Sequence, residues 1–193
     1  DDALTELIRG YTREAGVRSL ERAIGKLSRK LALRYLEQEA ASESVQVDKE
    51  LVQNLLGPER IVEEEGRKKD AVGVATGLAW TPVGGDVLYV EALRIPKGKD
   101  LTVTGQLGDV MSESVKAARS IILNRAEEFK IDSEVLEKDG FHVHVPAGAI
   151  PKDGPSAGVT MVTALASAYT NIPVRHDVAM TGEVTLSGLV LPV

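Results

Sequence analysis

The chain of 193 residues is 43% hydrophobic but only 4% aromatic, so it can bury one core, or one core and a small companion domain, built mainly from aliphatic side chains. It contains no cysteine, which excludes a cysteine nucleophile, a thiolate metal site and disulfide bonds. The net charge of −6 argues against nucleic acid as its partner. No apolar run approaches the roughly 18 residues of a membrane span, and the first residues lack a signal-peptide pattern, so we expect a soluble, cytoplasmic protein.

The first part of the chain, residues 1–62, has the periodicity of helices. Apolar residues recur at alternating steps of three and four, at Val17, Leu20, Ile24, Leu27 and Leu31. This spacing predicts an amphipathic helix over about 17–39 with one narrow buried stripe. Gly10 and Gly16 bracket a break, so a shorter helix over about 2–9 is expected before it.

A third helix is predicted after a polar stretch. Val45 and Val47 alternate with polar residues, which suggests a short strand. Asp48 is then a typical N-cap, and Gly57 followed by Pro58 ends the helix. Residues 1–62 are therefore predicted to form a small helical domain.

Basic residues are concentrated in this helical part. Between residues 9 and 34, eight of them stand against Glu14 and Glu21, a local excess of six; the eight are Arg9, Arg13, Arg18, Arg22, Lys26, Arg29, Lys30 and Arg34. A solvated helix face with i,i+4 ion pairs explains this stripe, and so does a surface that binds phosphates.

A domain boundary is predicted next, because residues 63–70 read EEEGRKKD and contain no apolar anchor. In residues 71–193 the sequence alternates with a period of two, as in the run Val87, Tyr89, Glu91, Leu93 and Ile95, and a hairpin turn is expected at Gly84 and Gly85. Helical spacing returns at Met111, Val115, Ala118, Ile122 and Phe129. The second domain is therefore predicted to be α+β.

One stretch of this domain combines a turn with a buried helix. Residues 151–158 read PKDGPSAG and lead into the apolar segment 159–169. Gly154 and Pro155 supply a tight turn, so Ser156 is expected at a helix N-terminus, where backbone N–H groups and the helix dipole stabilise negative charge. Such a serine is a nucleophile, part of a phosphate site, or a plain helix cap.

Other candidate site residues are less specific. His142 and His144 share one face of a predicted strand, where they bind a metal with a further ligand, form a hydrogen-bonded polar surface, or line a site. Since the nearby sequence offers no third ligand, we predict no metal site. Asp153 is too close to Ser156 along the chain to complete a triad, and capping or bracing of the turn explains it.

Several motifs together resemble the signature of Lon proteases, which are ATP-dependent serine peptidases of bacteria and organelles. They are TREAGVRSLER at 12–22, GLAWT at 77–81, GQLGDVM at 105–111, HVHVP at 142–146, PKDGPSAG at 151–158 and AMTGEVTL at 179–186. The motifs occur in the family's order and cover essentially the whole chain, so the resemblance is specific.

The resemblance implies the lid subdomain of an AAA+ ATPase over residues 1–62 and a Lon-type peptidase domain over 71–193. It also implies a Ser–Lys dyad with Ser156 as the nucleophile. The resemblance also assigns roles to residues around the dyad. Thr181 matches the threonine that hydrogen-bonds the lysine, and the polar residues that tune or gate the site match Asp153, Glu91 and His144. Trp80 matches a position at the substrate groove, and Arg18 matches a nucleotide-sensing arginine.

The match departs from the family at the base. In the family the lysine follows shortly after a Leu-Pro-Val triplet, and this chain ends at Leu191-Pro192-Val193. We therefore expect the peptidase domain to be truncated and the fragment to be inactive alone. The sequence also lacks a Gly-x-x-x-x-Gly-Lys-Ser/Thr loop, so ATP with Mg is expected in the ATPase module of the parent protein and no cofactor in the peptidase site.

Family membership would further imply unfolded, misfolded or regulatory proteins as substrates and a homo-oligomeric ring, expected to be a hexamer. The bacterial cytoplasm is the expected location, ahead of the mitochondrial matrix. Two alternatives remain open. One is a Lon-like domain that assembles and binds partners without proteolysis, and the other is a small-molecule kinase that holds ATP phosphates in the Gly-rich turn.

Overall fold

A computed structural model of the chain describes residues 2–37, 45–61, 67–81, 83–98, 100–146 and 152–193. The chain divides into two compact units, which are Asp1–Glu65 with Pro82–Gly84 and Gly66–Thr81 with Gly85–Val193. Each unit has its own hydrophobic core. The predicted linker, residues 63–70, lies partly outside the described residues.

The first unit is helical, as predicted. Its helices are α1 (Asp2–Glu6), followed by a π-helical turn (Leu7–Tyr11), then α2 (Arg18–Glu37) and α3 (Lys49–Leu56). Asp48 caps α3, because its side chain accepts a hydrogen bond from the backbone N–H of Leu51 at 2.8 Å. Helix α3 ends before Gly57, as expected.

Two details of the helical unit differ from the prediction. The α2 residues that pack in the core are Leu20, Ala23, Leu27 and Leu31. Val17 is 71% exposed because it precedes α2, and Ile24 is 40% exposed at the edge of the α2 face that packs on the core. The predicted strand at Val45 and Val47 is wrong, since residues 45–48 form no strand with any described residue and Val47 packs on the helical core instead.

A buried carboxylate joins α1 to α3. Glu6 is only 7% exposed and accepts hydrogen bonds from Lys49 Nζ and Gln53 Nε2, both at 2.8 Å. The hydrogen bond from Lys49 holds the pKa of Glu6 below its usual value. The carboxylate therefore stays charged in a buried position and fixes the first helix to the third.

The second unit is built on a mixed sheet with the described strands in the order β3-β4-β2-β1-β5. The strands are β1 (Val74–Thr81), β2 (Gly84–Ile95), β3 (Leu101–Thr104), β4 (Gly140–His144) and β5 (Ala179–Met180), and a separate hairpin pairs β6 (Glu183–Val184) with β7 (Val190–Leu191). β4 runs antiparallel to β2 and parallel to β3, while β5 runs parallel to β1. Helices and a mixed sheet together confirm the α+β class.

Strand β2 has the predicted period of two, but the predicted run of residues does not face the core, since Val87 is 44% and Leu93 66% exposed. The buried residues of β2 occupy every second position, at Leu88, Val90 and Ala92. The predicted hairpin turn is displaced, because β1 ends at Thr81 and β2 already begins at Gly84. Gly84 and Gly85 therefore lie in the strand and not in the turn.

The core of this unit lies between the sheet and the helices α4 (Asp109–Asn124) and α6 (Gly158–Thr170); a short helix, α5 (Ser133–Lys138), precedes β4. The α4 residues predicted from helical spacing are buried, namely Met111, Val115, Ala118 and Ile122, whereas Phe129 lies beyond the helix and is partly buried. No helix among the described residues has the length and apolar character needed to cross a membrane.

Replacement of the buried Ile122 by alanine should lower the free energy of unfolding by about 2–5 kcal/mol, because apolar contacts are lost and a cavity remains. Leu123, the next residue of α4, is 38% exposed and gives the matched control, for which L123A should cost less than about 1 kcal/mol. Urea unfolding followed by circular dichroism measures both losses. Equal losses would contradict the core described for α4.

Candidate active site

Ser156 lies in a turn of 3₁₀ helix, Pro155–Ala157, that leads directly into α6. Gly154 has a φ of +126°, which favours glycine, and Pro155 occupies the first turn, where its missing N–H costs nothing. The Ser156 side chain is half-buried. The predicted tight turn and buried helix are therefore both present.

The Ser156 hydroxyl is not used as a helix cap. Within the described residues, neither the 3₁₀ turn nor α6 has a side-chain cap, and Ser156 Oγ makes no hydrogen bond to any of them. Since N-cap serines use their oxygen to bond the first turn, the plain-cap interpretation does not describe this residue. The hydroxyl is left available for another partner.

The backbone at Ser156 is held by a segment that follows much later in the chain. Gly182 donates its backbone N–H to the carbonyl of Ser156 at 2.8 Å, and Val159 donates to the carbonyl of Gly182 at 3.1 Å. The hydroxyl of Thr181 lies 3.4 Å from the same Ser156 carbonyl. A Cβ at Gly158 would lie 2.9 Å from the backbone N of Val184, so glycine is required for this approach. The structure thus brings Thr181 to the first turn of α6.

Asp153 caps a different helix. Its Oδ1 accepts hydrogen bonds from the backbone N–H of Met111 at 3.0 Å, in the first turn of α4, and from that of Gly154 at 2.9 Å. A carboxylate at a helix N-terminus is favoured by the exposed N–H groups and by the helix dipole. These contacts support the predicted capping and bracing of the turn, while a tuning role at the nucleophile stays a prediction.

Glu91 and His144 are register partners on β2 and β4. On the same face, Thr104 of β3 places its hydroxyl 2.7 Å from His144 Nδ1 and 2.8 Å from His142 Nε2. The histidines therefore form the hydrogen-bonded polar strand surface that was one of the three alternatives. No group of three or more His, Cys, Asp or Glu side chains suited to a metal occurs among the described residues.

Trp80 lies near the end of β1 and is 83% exposed. The described pairing of β1 with β5 involves only Thr76 and Gly77, with Ala179 and Met180 opposite them. The segment of β1 that carries Trp80 is therefore not paired with β5.

Arg18 belongs to the other compact unit, where it is the first residue of α2 and has an exposed side chain. Glu14 caps this helix by accepting hydrogen bonds from the backbone N–H groups of Ser19, at 2.7 Å, and Leu20, at 3.0 Å. The bond from Ser19 lowers the pKa of Glu14. Part of the basic stripe borders a cavity of about 270 Å³, lined by Arg22, Lys26 and Arg60 among others.

Sequence reasoning missed two residues of this region. Gly182 had a signal, because it lies in the AMTGEVTL motif, but its hydrogen bond to Ser156 depends on a long-range approach that no local pattern gives. Thr104 had only a weak signal, as one of the polar residues that alternate along β3. Its position between two imidazoles follows from the parallel pairing of β3 with β4.

Comparison with known families covers the whole chain. Residues 46–193 match the Lon protease (S16) C-terminal proteolytic domain, and residues 1–45 match the Lon protease AAA+ ATPase lid domain. These matches define the class, a peptidase domain preceded by an ATPase lid. The family boundary falls before α3, although α3 packs on the core of the first compact unit.

Individual relatives agree with this class. The chain is 57% identical over its whole length to the Lon protease of Methylocella silvestris and 59% identical over 91% of its length to that of Nitrosococcus oceani. It is also 53% identical over its whole length to the Lon protease of Aquifex aeolicus. The chain belongs to the Lon protease family, and the small-molecule kinase alternative is left without support. It spans 22–24% of the length of these relatives.

Removal of the Asp153 carboxylate in D153A should cost about 1 kcal/mol of stability and speed hydrogen exchange at the amide of Met111, because α4 loses its cap. D153N, which keeps an oxygen acceptor, is the matched control and should lose only a few tenths of that amount. Urea unfolding and amide exchange measure the two effects. Unchanged protection of Met111 in D153A would contradict the cap.

Proposed function

We propose that this chain is the ATPase lid and peptidase part of an ATP-dependent serine endopeptidase, with Ser156 as the nucleophile. The observation that carries the proposal is the Ser156 hydroxyl, half-buried at the start of an apolar helix and without a hydrogen bond to any described residue. The Ser156 carbonyl is held by Gly182 while the hydroxyl bonds no described residue, which suits a nucleophile. Family membership supports the same chemistry.

The proposed reaction has two steps. Ser156 Oγ attacks the carbonyl carbon of a peptide bond while a base takes the hydroxyl proton; the C–N bond then breaks and the leaving amine receives that proton. In the second step water attacks the ester, and the proton that the base removes from this water returns to Ser156 Oγ. Backbone N–H groups of the turn, including that of Ser156, and the positive end of the α6 dipole would stabilise the oxyanion.

A lysine is proposed as the base, following the family resemblance. Free lysine has a pKa of about 10.4, so it must be kept uncharged by burial or by a cationic neighbour. The apolar α6 supplies part of such an environment, and Thr181 is proposed to hydrogen-bond the lysine.

The remaining site residues are proposed to act around the nucleophile. Asp153 would fix the turn against α4, and Glu91 and His144 would tune the polar strand surface. An unfolded or misfolded protein segment, or part of a regulatory protein, is proposed to lie along the exposed stretch of β1 near Trp80, where backbone hydrogen bonds can be added.

The ATP dependence is proposed for the parent protein and not for this chain alone. Arg18 fits a phosphate-contacting role, because its guanidinium is exposed at the start of α2. The backbone N–H groups of Ser19 and Leu20 are already bonded to Glu14, so the side chain and not the helix end would contact the ATP phosphates. ATP with Mg would supply the energy for unfolding substrates in a homo-oligomeric ring, proposed to be a hexamer in the bacterial cytoplasm.

In the full-length protein, S156A is expected to lower peptidase activity by at least about a thousandfold and to leave ATP hydrolysis intact, because only the nucleophile is removed. Ser120 is exposed on α4 and provides the matched control, since S120A should retain both activities. Cleavage of an unstructured protein and release of phosphate are the two measurements. Proteolysis that persists in S156A would show that another group is the nucleophile.

A further inference from the structure

We propose that Arg125 is a positioning residue for Ser156 and acts through the hairpin formed by β6 and β7. The arginine follows the last residue of α4, while the hairpin begins directly after Gly182, which holds the Ser156 carbonyl. The positioning matters to catalysis only if Ser156 is the nucleophile, so the proposal rests on the proposed function.

The first contact is at the tip of the hairpin. Arg125 Nη2 donates a hydrogen bond to the carbonyl oxygen of Ser187 at 2.5 Å. Gly188 lies against the guanidinium, since a Cβ built there would be 2.6 Å from Nη2, and its φ is +84°. A side chain at this position would push the guanidinium aside, and the positive φ independently favours glycine there.

The carbonyl of Ser187 is the main partner of this arginine. The carboxylate of Glu128 is 4.0 Å from Arg125 Nη1 and is 70% exposed, so their ion pair is long and screened by solvent. A charged donor to a neutral carbonyl forms a stronger hydrogen bond than a neutral donor does. Arg125 therefore fastens the hairpin tip to the end of α4.

The hairpin itself is closely hydrogen-bonded from tip to base. Thr185 bonds the two residues that precede β7, because its backbone N–H donates to the carbonyl of Leu189 at 2.9 Å and its carbonyl accepts from the backbone N–H of Gly188 at 2.8 Å. Its hydroxyl also accepts from the backbone N–H of Leu189 at 3.1 Å. Below the turn, Val184 pairs with Val190 and Glu183 with Leu191. A displacement at the tip is therefore passed on to the base of the hairpin.

The base of the hairpin contacts the nucleophile's turn through backbone atoms. Gly182 bonds the Ser156 carbonyl at 2.8 Å, and Val159 bonds the Gly182 carbonyl at 3.1 Å. The close approach of Gly158 to Val184 leaves no side chain between the two segments. Reacting atoms must be held within a fraction of an ångström for full catalysis, so a loosened hairpin should lower the rate of the chemical step.

Amide hydrogen exchange on the protein tests the mechanical part of this proposal. In R125A the amides of Gly182 and Val159 should exchange roughly three- to tenfold faster, the effect of losing one hydrogen bond, while that of Leu165 deep in α6 is unchanged. R125K keeps a donor and should stay close to the parent rates. Lys116 is exposed on α4, the helix that Arg125 follows, so K116A removes an equal charge and should change neither the Gly182 nor the Val159 amide.

Two results of the exchange experiment would overturn the proposal. One is unchanged exchange at Gly182 in R125A, and the other is a uniform rise that includes Leu165, which indicates general destabilisation. If R125A does not fold, R125M is the second variant, because it keeps an aliphatic stem and removes only the guanidinium that bonds Ser187. It should produce the same local rise at Gly182 and Val159.

Peptide hydrolysis by the full-length protease tests the catalytic part. R125A should lower kcat roughly tenfold with KM and ATP hydrolysis unchanged, and R125K should restore kcat, because the contact positions the nucleophile and not the substrate. An unchanged kcat in R125A would overturn the positioning role. S156A measured in parallel separates the two ideas: if it keeps full activity the proposed function fails, while the exchange result still decides whether Arg125 holds the hairpin.

Discussion

The burial of α6 on nearly all sides is the constraint on which this site depends. Met161, Ala164 and Leu165 are fully buried between the sheet and α4. Protein interiors are packed as densely as organic crystals, so a helix enclosed in this way cannot shift without opening cavities. The core therefore sets the position of α6 and, with it, the approximate position of the turn that carries Ser156.

Backbone contacts at the start of α6 further hold the turn that carries Ser156. The Gly158 backbone approaches Val184 closely, and Gly182 bonds the Ser156 carbonyl, so main chain lies directly on main chain. Backbone contacts of this kind have fewer alternative arrangements than side-chain contacts, because only two dihedral angles per residue are free. The Ser156 hydroxyl, which bonds no described residue, can still rotate about χ1 toward a partner.

Much of the fold could be predicted because it depends on local patterns. Alternation in β2, the helical spacing of α4 and the cap at Asp48 all express the physical period or chemistry of one element. The failures came where a local pattern had no tertiary counterpart. Val45 and Val47 alternate like a strand but find no strand partner among the described residues.

The candidate site likewise has a local part that could be predicted and a long-range part that could not. The turn at Ser156 could be predicted from Gly154, Pro155 and the apolar segment that follows, because those residues act on their own neighbourhood. The hydrogen bond from Gly182 and the contact of Arg125 with Ser187 could not, since each joins segments that only the complete core brings together. Sequence motifs indicated which segments belong to the site, while the geometry that links them needed the structure.

The shared contact with Thr104 limits which nitrogens of His142 and His144 can carry a hydrogen. Thr104 has one hydroxyl hydrogen and lies within hydrogen-bond distance of both His142 Nε2 and His144 Nδ1. It can donate to only one of the two nitrogens, so at least one of them must itself carry a hydrogen and donate to the threonine oxygen. The tautomers of the two imidazoles are therefore linked through the single hydroxyl hydrogen of Thr104.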